Sequence, residues 1–157
     1  MEMGIFLAIL GAVFAVALAG IGSALGISYV GQAASGLISE EPEKFGKALM
    51  LQVLPGTQGI YGFLAAVLVL QKIGMFTGES MVFPSEVGWQ ILFACLPIAI
   101  SGFISGILQG KVSTAGISVL AKRPEEVGKA IILSAMVETY AVIALLATIL
   151  ILNGIVI

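Results

Sequence analysis

Glu41-Pro-Glu-Lys-Phe-Gly-Lys-Ala-Leu49 returns, 82 residues further on, as Arg123-Pro-Glu-Glu-Val-Gly-Lys-Ala-Ile131. The same offset, with no gap, matches Gly20, Ser23, Val30 and Ala33 to Gly102, Ser105, Val112 and Ala115. It also matches Leu64, Ala65 and Leu68 to Leu146, Ala147 and Leu150. The chain is therefore an internal duplication. Each repeated turn lies between long apolar runs. These cover roughly Met3–Val30, Gly46–Leu70, Gly88–Leu120 and Val127–Ile157. All four reach the ~20 residues that a helix needs to span a bilayer, and a spanning strand would need only about ten. Each half thus reads as a two-helix hairpin, and the two halves share one orientation. The expected fold is an all-α membrane protein with four transmembrane helices. The first hairpin repeat is assigned to residues 1–75 and the second to residues 76–157.

Composition agrees. Hydrophobic residues make up 59% of the chain and charged ones 10%, against roughly 25% charged in soluble domains. The net charge of -2 matters less than its placement. Lys44, Lys47, Lys111, Lys122, Arg123 and Lys129 lie in or near the two repeated turns, while only Lys72 lies near the other side. The positive-inside rule makes loops 39–45 and 121–126 cytoplasmic and puts both termini outside. A multi-pass protein of the cell membrane is expected. Met1-Glu2-Met3-Gly4 lacks the basic region of a signal peptide, so the first run is read as a retained helix. The single Cys95 allows no intrachain disulfide, and the absence of His argues against a transition-metal site. No GxxxxGK[ST] phosphate loop occurs, so ATP chemistry is not expected in this chain. No nucleic-acid partner is expected.

Small residues mark the first and third runs. Gly11, Ala15, Ala19 and Ser23 recur every fourth residue, as do Gly102, Gly106 and Gly110, and Gly22 pairs with Gly26. Such spacing lets helix backbones approach closely in lipid. The first and third helices are expected to form a crowded interior, with the second and fourth outside. Plain close packing of one four-helix bundle is the alternative. Pro55 and Pro97 should interrupt the second and third helices. Trp89, at an outer boundary, suits an interface anchor.

Glu138 lies inside Ala130-Ile-Ile-Leu-Ser-Ala-Met-Val-Glu-Thr-Tyr-Ala-Val-Ile-Ala-Leu-Leu146. A carboxylate at that depth costs at least a few kcal/mol in lipid. Its counterpart in the first half is Gly56, so one carboxylate serves four helices. Glu138, Gln58 and Gln109 each sit ~18 Å of helical rise from their repeated turns. Three helices therefore bring oxygen-bearing side chains to one level. Leu54, Thr57, Gln58 and Tyr61 share one helix face, while Thr139 points ~100° away from Glu138. A carboxylate, two amides and a hydroxyl form a set of hard oxygen donors suited to a hard cation. A monovalent ion leaves the site neutral, which favours Na+, or Li+, over Ca2+ and Mg2+. Taken singly, each glutamine reads as interhelical hydrogen-bond glue; taken together with Glu138 at one depth, the set reads as an ion site. Glu138 could also pair with Lys111. Lys111 lies ~200° from Gln109 on the helix, so both cannot face Glu138, and Gln109 is preferred.

Leu54-Pro-Gly-Thr-Gln-Gly-Ile-Tyr61, Gln109-Gly-Lys111 and Met136-Val-Glu-Thr-Tyr140 resemble the membrane rotor (proteolipid) subunits, subunit K, of bacterial Na+-translocating V-type ATPases. The likeness covers nearly the whole chain. It implies a homo-oligomeric ring of four-helix subunits that turns against a membrane stator bearing a cationic residue, with a central stalk and lipid as further partners. It implies a non-catalytic subunit. By motif, it implies Na+ ligands at Glu138, Gln109, Gln58, Thr57 and the Leu54 carbonyl, and a site-closing hydrogen bond from Tyr61. Proton-carrying relatives keep the carboxylate but generally lack the full polar set. H+ is thus the alternative ion, and a small four-helix proton-coupled antiporter is the alternative function.

Overall fold

A computed structural model of the chain describes residues 3–78 and 82–157. Five α-helices carry it: α1 (Met3–Glu40), α2 (Phe45–Val53), α3 (Thr57–Lys72), α4 (Ser85–Lys122) and α5 (Val127–Gly154). Short 3-10 turns at Pro42–Lys44, Leu54–Gly56 and Pro124–Glu126 join them into four continuous spans. The spans contain 38, 31, 38 and 31 residues, each apolar and long enough to cross a membrane. No strand occurs among the described residues.

The duplication is visible in the backbone. Glu41 (φ -132, ψ 74) and Arg123 (φ -145, ψ 75) adopt the same non-helical conformation, each just before a proline. Proline disfavours the helical region for the residue preceding it, so both long helices stop there. The following proline supplies a first-turn residue whose missing N–H is no loss. Each half is a hairpin, and the two turns lie together at one end. Lys44 Nζ donates to the Ala121 carbonyl at 2.9 Å and Lys47 Nζ to the Pro124 carbonyl at 3.0 Å. Lys44 thus occupies the negative end of α4, Lys47 reaches the turn that follows it, and the two bonds tie one turn to the other.

The helices extend beyond their apolar runs. α1 continues past Val30 through Gln32, Ser35 and Ser39 to Glu40. Their polar groups are satisfied on the helix itself: Gln32 donates to Ser28 Oγ, Ser35 to the Gly31 carbonyl and Ser39 to the Gly36 carbonyl. Pro55 does interrupt its span, as the 3-10 turn Leu54–Gly56. Pro97 does not, because α4 runs through it unbroken. Gly56 follows Pro55 and frees the backbone to rearrange. Pro97 is followed by Ile98 and Ala99, both fully buried, whose packing supports the helix where the proline removes a hydrogen bond.

α1 and α4 run parallel in near-backbone contact. A Cβ on Gly106 would lie 2.7 Å from the Gly22 carbonyl carbon, and one on Gly11 would lie 2.8 Å from Leu92 Cα. The glycine faces of both helices are thus used against each other inside one chain. α2, α3 and α5 flank this pair. Two apolar clusters fill the interior. One, toward the termini, includes Ala12, Ala65, Val69, Ile91, Ile98 and Leu145. The other, toward the repeated turns, includes Val30, Leu51, Ile117, Leu120 and Ala130. A buried polar layer of Gln58, Gln109, Ser113 and Ser134 belongs to neither cluster.

Candidate ion-binding site

Three helices converge on Glu138. α3 brings Gln58 and Tyr61, α4 brings Gln109, and α5 brings the carboxylate. Tyr61 donates its hydroxyl to Glu138 Oε1 at 2.5 Å, and Gln109 Nε2 reaches Glu138 Oε2 at 3.4 Å. Gln58 Nε2 donates to Gln109 Oε1 at 2.5 Å. The three links form one network: amide to amide, amide to carboxylate, and phenol to carboxylate. Both glutamines are fully buried. Glu138 and Tyr61 are only half-buried, at the outer edge of the group.

One atom is left over. Gln58 Oε1 is buried and has no hydrogen-bond partner among the described residues. Leaving a buried acceptor unpaired costs about 1–3 kcal/mol. The donors of Gln109 and Tyr61 are already turned to Glu138, so the vacant lone pairs call for another donor or a cation. Beside it, Thr57 Oγ1 donates to the Leu54 carbonyl at 3.1 Å. That carbonyl lies in the 3-10 turn that Pro55 forces on the span. The break also frees Gly59 N–H to reach Ser23 Oγ at 2.8 Å, which fixes the start of α3 against α1. The kink is therefore what gathers Leu54, Thr57 and Gln58 at one level.

The remaining expectations divide. Thr139 faces outward, its hydroxyl bonded to the Met136 carbonyl at 2.8 Å. Lys111 is exposed, and no ion pair joins it to Glu138 among the described residues. Trp89 is exposed near the start of α4 and stacks on Phe93 at 5.8 Å between ring centroids. Sequence reasoning missed the Gln58–Gln109 contact, the Ser23 anchor and a buried pair of hydroxyls. Ser113 Oγ and Ser134 Oγ meet at 2.6 Å. They stand four residues from Gln109 and from Glu138, a spacing that becomes a signal only once the two serines are known to be partners.

The fold and this site define a class: a membrane protein of tandem helical hairpins that gathers a carboxylate, two amides and a phenol inside its span. The family of the ATP synthase C subunits matches the chain twice, over residues 10–69 and 92–151, once in each hairpin. The chain belongs to this ATP synthase C-subunit family. It is 48% identical over 152 residues to the V-type sodium ATPase subunit K of Enterococcus hirae, covering 96% of this chain and 94% of that one. It is 38% identical to the A-type ATP synthase subunit K of Methanocaldococcus jannaschii, over 96% of this chain and 64% of that one. The 16 kDa proteolipid of the human V-type proton ATPase is 28% identical over 78% of this chain and 76% of its own length.

Proposed function

We propose that this chain is the ion-carrying rotor subunit of an ATP-driven rotary cation pump, and that it carries one Na+ at Glu138. The observation that carries this reading is the unpaired, buried Gln58 Oε1 beside a carboxylate already held by Gln109 and Tyr61. A proton needs only the carboxylate. A cation stripped of water needs several oxygens, and Glu138, Gln58, Gln109, Thr57 and the Leu54 carbonyl supply them. The name of the 48%-identical relative, a sodium ATPase subunit, agrees with Na+. That of the human relative names the proton instead, so the polar set around Glu138 carries the choice of ion. The single negative charge is balanced by a monovalent ion, and Tyr61 closes the site from the half-buried side.

Ring formation rests on the repeat. Gly22, Ser23, Gly26, Pro55 and Gln58 are buried in the first hairpin, largely against the second. Their counterparts 82 residues on, Ile104, Ser105, Leu108, Val137 and Tyr140, line an open apolar groove on the second hairpin. Conversely, Gly102, Gly106 and Gly110 are buried on α1, while their counterparts Gly20, Ala24 and Ser28 are open. Repeating the in-chain packing places the small residues of one copy on the Ile104 and Leu108 side chains of the next. Such a head-to-tail contact closes into a ring when the rotation permits.

The cycle follows from charge. With Na+ bound the site is neutral and faces lipid at little cost. Emptied, the carboxylate resists lipid until a cationic stator residue compensates it, and this ties ion movement to rotation. The repeated turns lie on the cytoplasmic side, where the central stalk docks, and both termini lie outside. Hydrolysis occurs in other subunits.

Labelling with a hydrophobic carbodiimide tests the site. The expected outcome is modification of Glu138 alone, suppressed by Na+. Modification of Glu40, Glu41 or Glu125 in its place, or labelling indifferent to Na+, would contradict the reading.

A further inference from the structure

One helical turn below the proposed ion site, α4 and α5 are joined a second time. Ser113 follows Gln109 by four residues and Ser134 precedes Glu138 by four. Because the helices are antiparallel, the two pairs form successive rungs between the same two helices. The upper rung, Gln109 to Glu138, is loose at 3.4 Å, whereas the lower, Ser113 to Ser134, is tight at 2.6 Å. Both serines are fully buried. Below them Gly116 meets Ala130, where an added Cβ would lie 3.2 Å from the alanine Cβ. The spacing of the two helices is thus fixed by the serines and the small residues beneath them. The ligand-bearing side chains above lean on that spacing.

The first hairpin lacks this device. The counterparts of Ser113 and Ser134 are Gly31 and Gln52. There the Gln52 amide lies over the glycine, 2.6 Å from where a Cβ would stand, so volume is filled without a hydroxyl pair. The hairpin with the hydroxyl rung is also the one with the carboxylate.

We propose that Ser113 and Ser134 are positioning residues that set the α4–α5 separation at the ion site and thereby tune its affinity and its size preference. They are not ligands, since they lie ~6 Å below the carboxylate level and satisfy each other. A hydroxyl pair suits the role because two short, stiff side chains fix a distance that longer ones would blur. The proposal rests on the Na+ reading above, and one assay separates the two.

The assay is equilibrium binding of radioactive sodium to the purified detergent-solubilised oligomer, with Li+ as competitor, alongside thermal melting of the oligomer. Ser113→Ala and Ser134→Ala are each expected to raise the Na+ dissociation constant about tenfold by removing one buried hydrogen bond. They should also change the Li+/Na+ preference at least threefold and leave the melting temperature within a few degrees. The double variant should be no worse than either single, because the removed contact is shared. Ser134→Thr, which keeps the hydroxyl, should restore wild-type affinity and preference. If an alanine variant does not assemble, Ser134→Cys takes its place, with the same expected direction because a thiol is a weaker donor. Affinity and preference within twofold of wild type would overturn the proposal. So would an affinity loss that tracks a fall in melting temperature with the preference unchanged. Glu138→Gln in the same assay guards the underlying reading. If that variant still binds Na+, the Na+ site itself fails. If it does not bind and the serine variants are silent, only the positioning role fails.

Discussion

The first hairpin and the second share a repeat and part at the positions of the proposed ion site. Where the second has Glu138, Gln109 and Ser134, the first has Gly56, Ile27 and Gln52; where the first has Gln58, the second has Tyr140. Even the proline differs, for Pro55 breaks its span while its counterpart Val137 lies in an unbroken α5. Ser23 accordingly receives the Gly59 N–H, whereas its counterpart Ser105 keeps a buried hydroxyl without a partner among the described residues. Duplication followed by divergence has therefore made one composite site from two hairpins. One contributes a kinked backbone, an amide and a phenol, and the other a carboxylate and an amide. Neither hairpin alone holds the set.

The largest expected effect breaks the junction between the hairpins. Gly106→Leu would drive a side chain into the backbone of Gly22 and Ser23. Overpacking typically costs about 1–3 kcal/mol and more when only backbone is available to move. The chain should fail to accumulate as an assembled protein. The counterpart change, Ala24→Leu, lies on an open face and should leave each chain folded while weakening contacts between copies. Native mass measurement of the two variants checks this. Equal behaviour would mean that the in-chain and between-chain junctions are not related as the repeat implies.

A smaller effect sharpens the comparison at the site. Thr57→Ala, on the side of the kink, removes a hydroxyl that holds the Leu54 carbonyl at 3.1 Å. Na+ affinity should fall several-fold, in line with about 1 kcal/mol for one hydrogen bond. Thr139→Ala removes the matching hydroxyl, which bonds the Met136 carbonyl, and should change affinity less than twofold. Competition binding on the two purified variants measures the difference directly.

Much of this is legible in the sequence, for physical reasons. The gapless repeat and the length of the apolar runs determine four spans, because only a helix satisfies its own backbone in lipid. Counting residues from the repeated turns places Gln58, Gln109 and Glu138 at one level, since rise per residue is constant in a helix. Packing is less legible. The glycine spacing announces close approach but not against which helix. The structure directs Gly102, Gly106 and Gly110 to α1 of the same chain. Proline removes a hydrogen bond, which predicts a break at Pro97, yet α4 continues through it among buried neighbours. The polar end of α1 looks like loop because hydropathy does not register serines that bond back to their own helix. The serine rung escapes a reading of the sequence because a lone serine in an apolar run carries little signal until its partner is known.

The central claim is that both hairpins hold one Na+ together, and sodium binding to purified oligomers tests it most directly. The expected result is one Na+ per chain, none in Glu138→Gln, and an affinity weakened about ten- to a hundredfold in Gln58→Ala, equivalent to roughly 1–3 kcal/mol for a lost buried contact. Gln58→Ala with wild-type affinity, while Glu138→Gln alone loses binding, would contradict it. The first hairpin would then contribute packing and no ligand, and the chain would be better described as a proton carrier whose glutamines join helices.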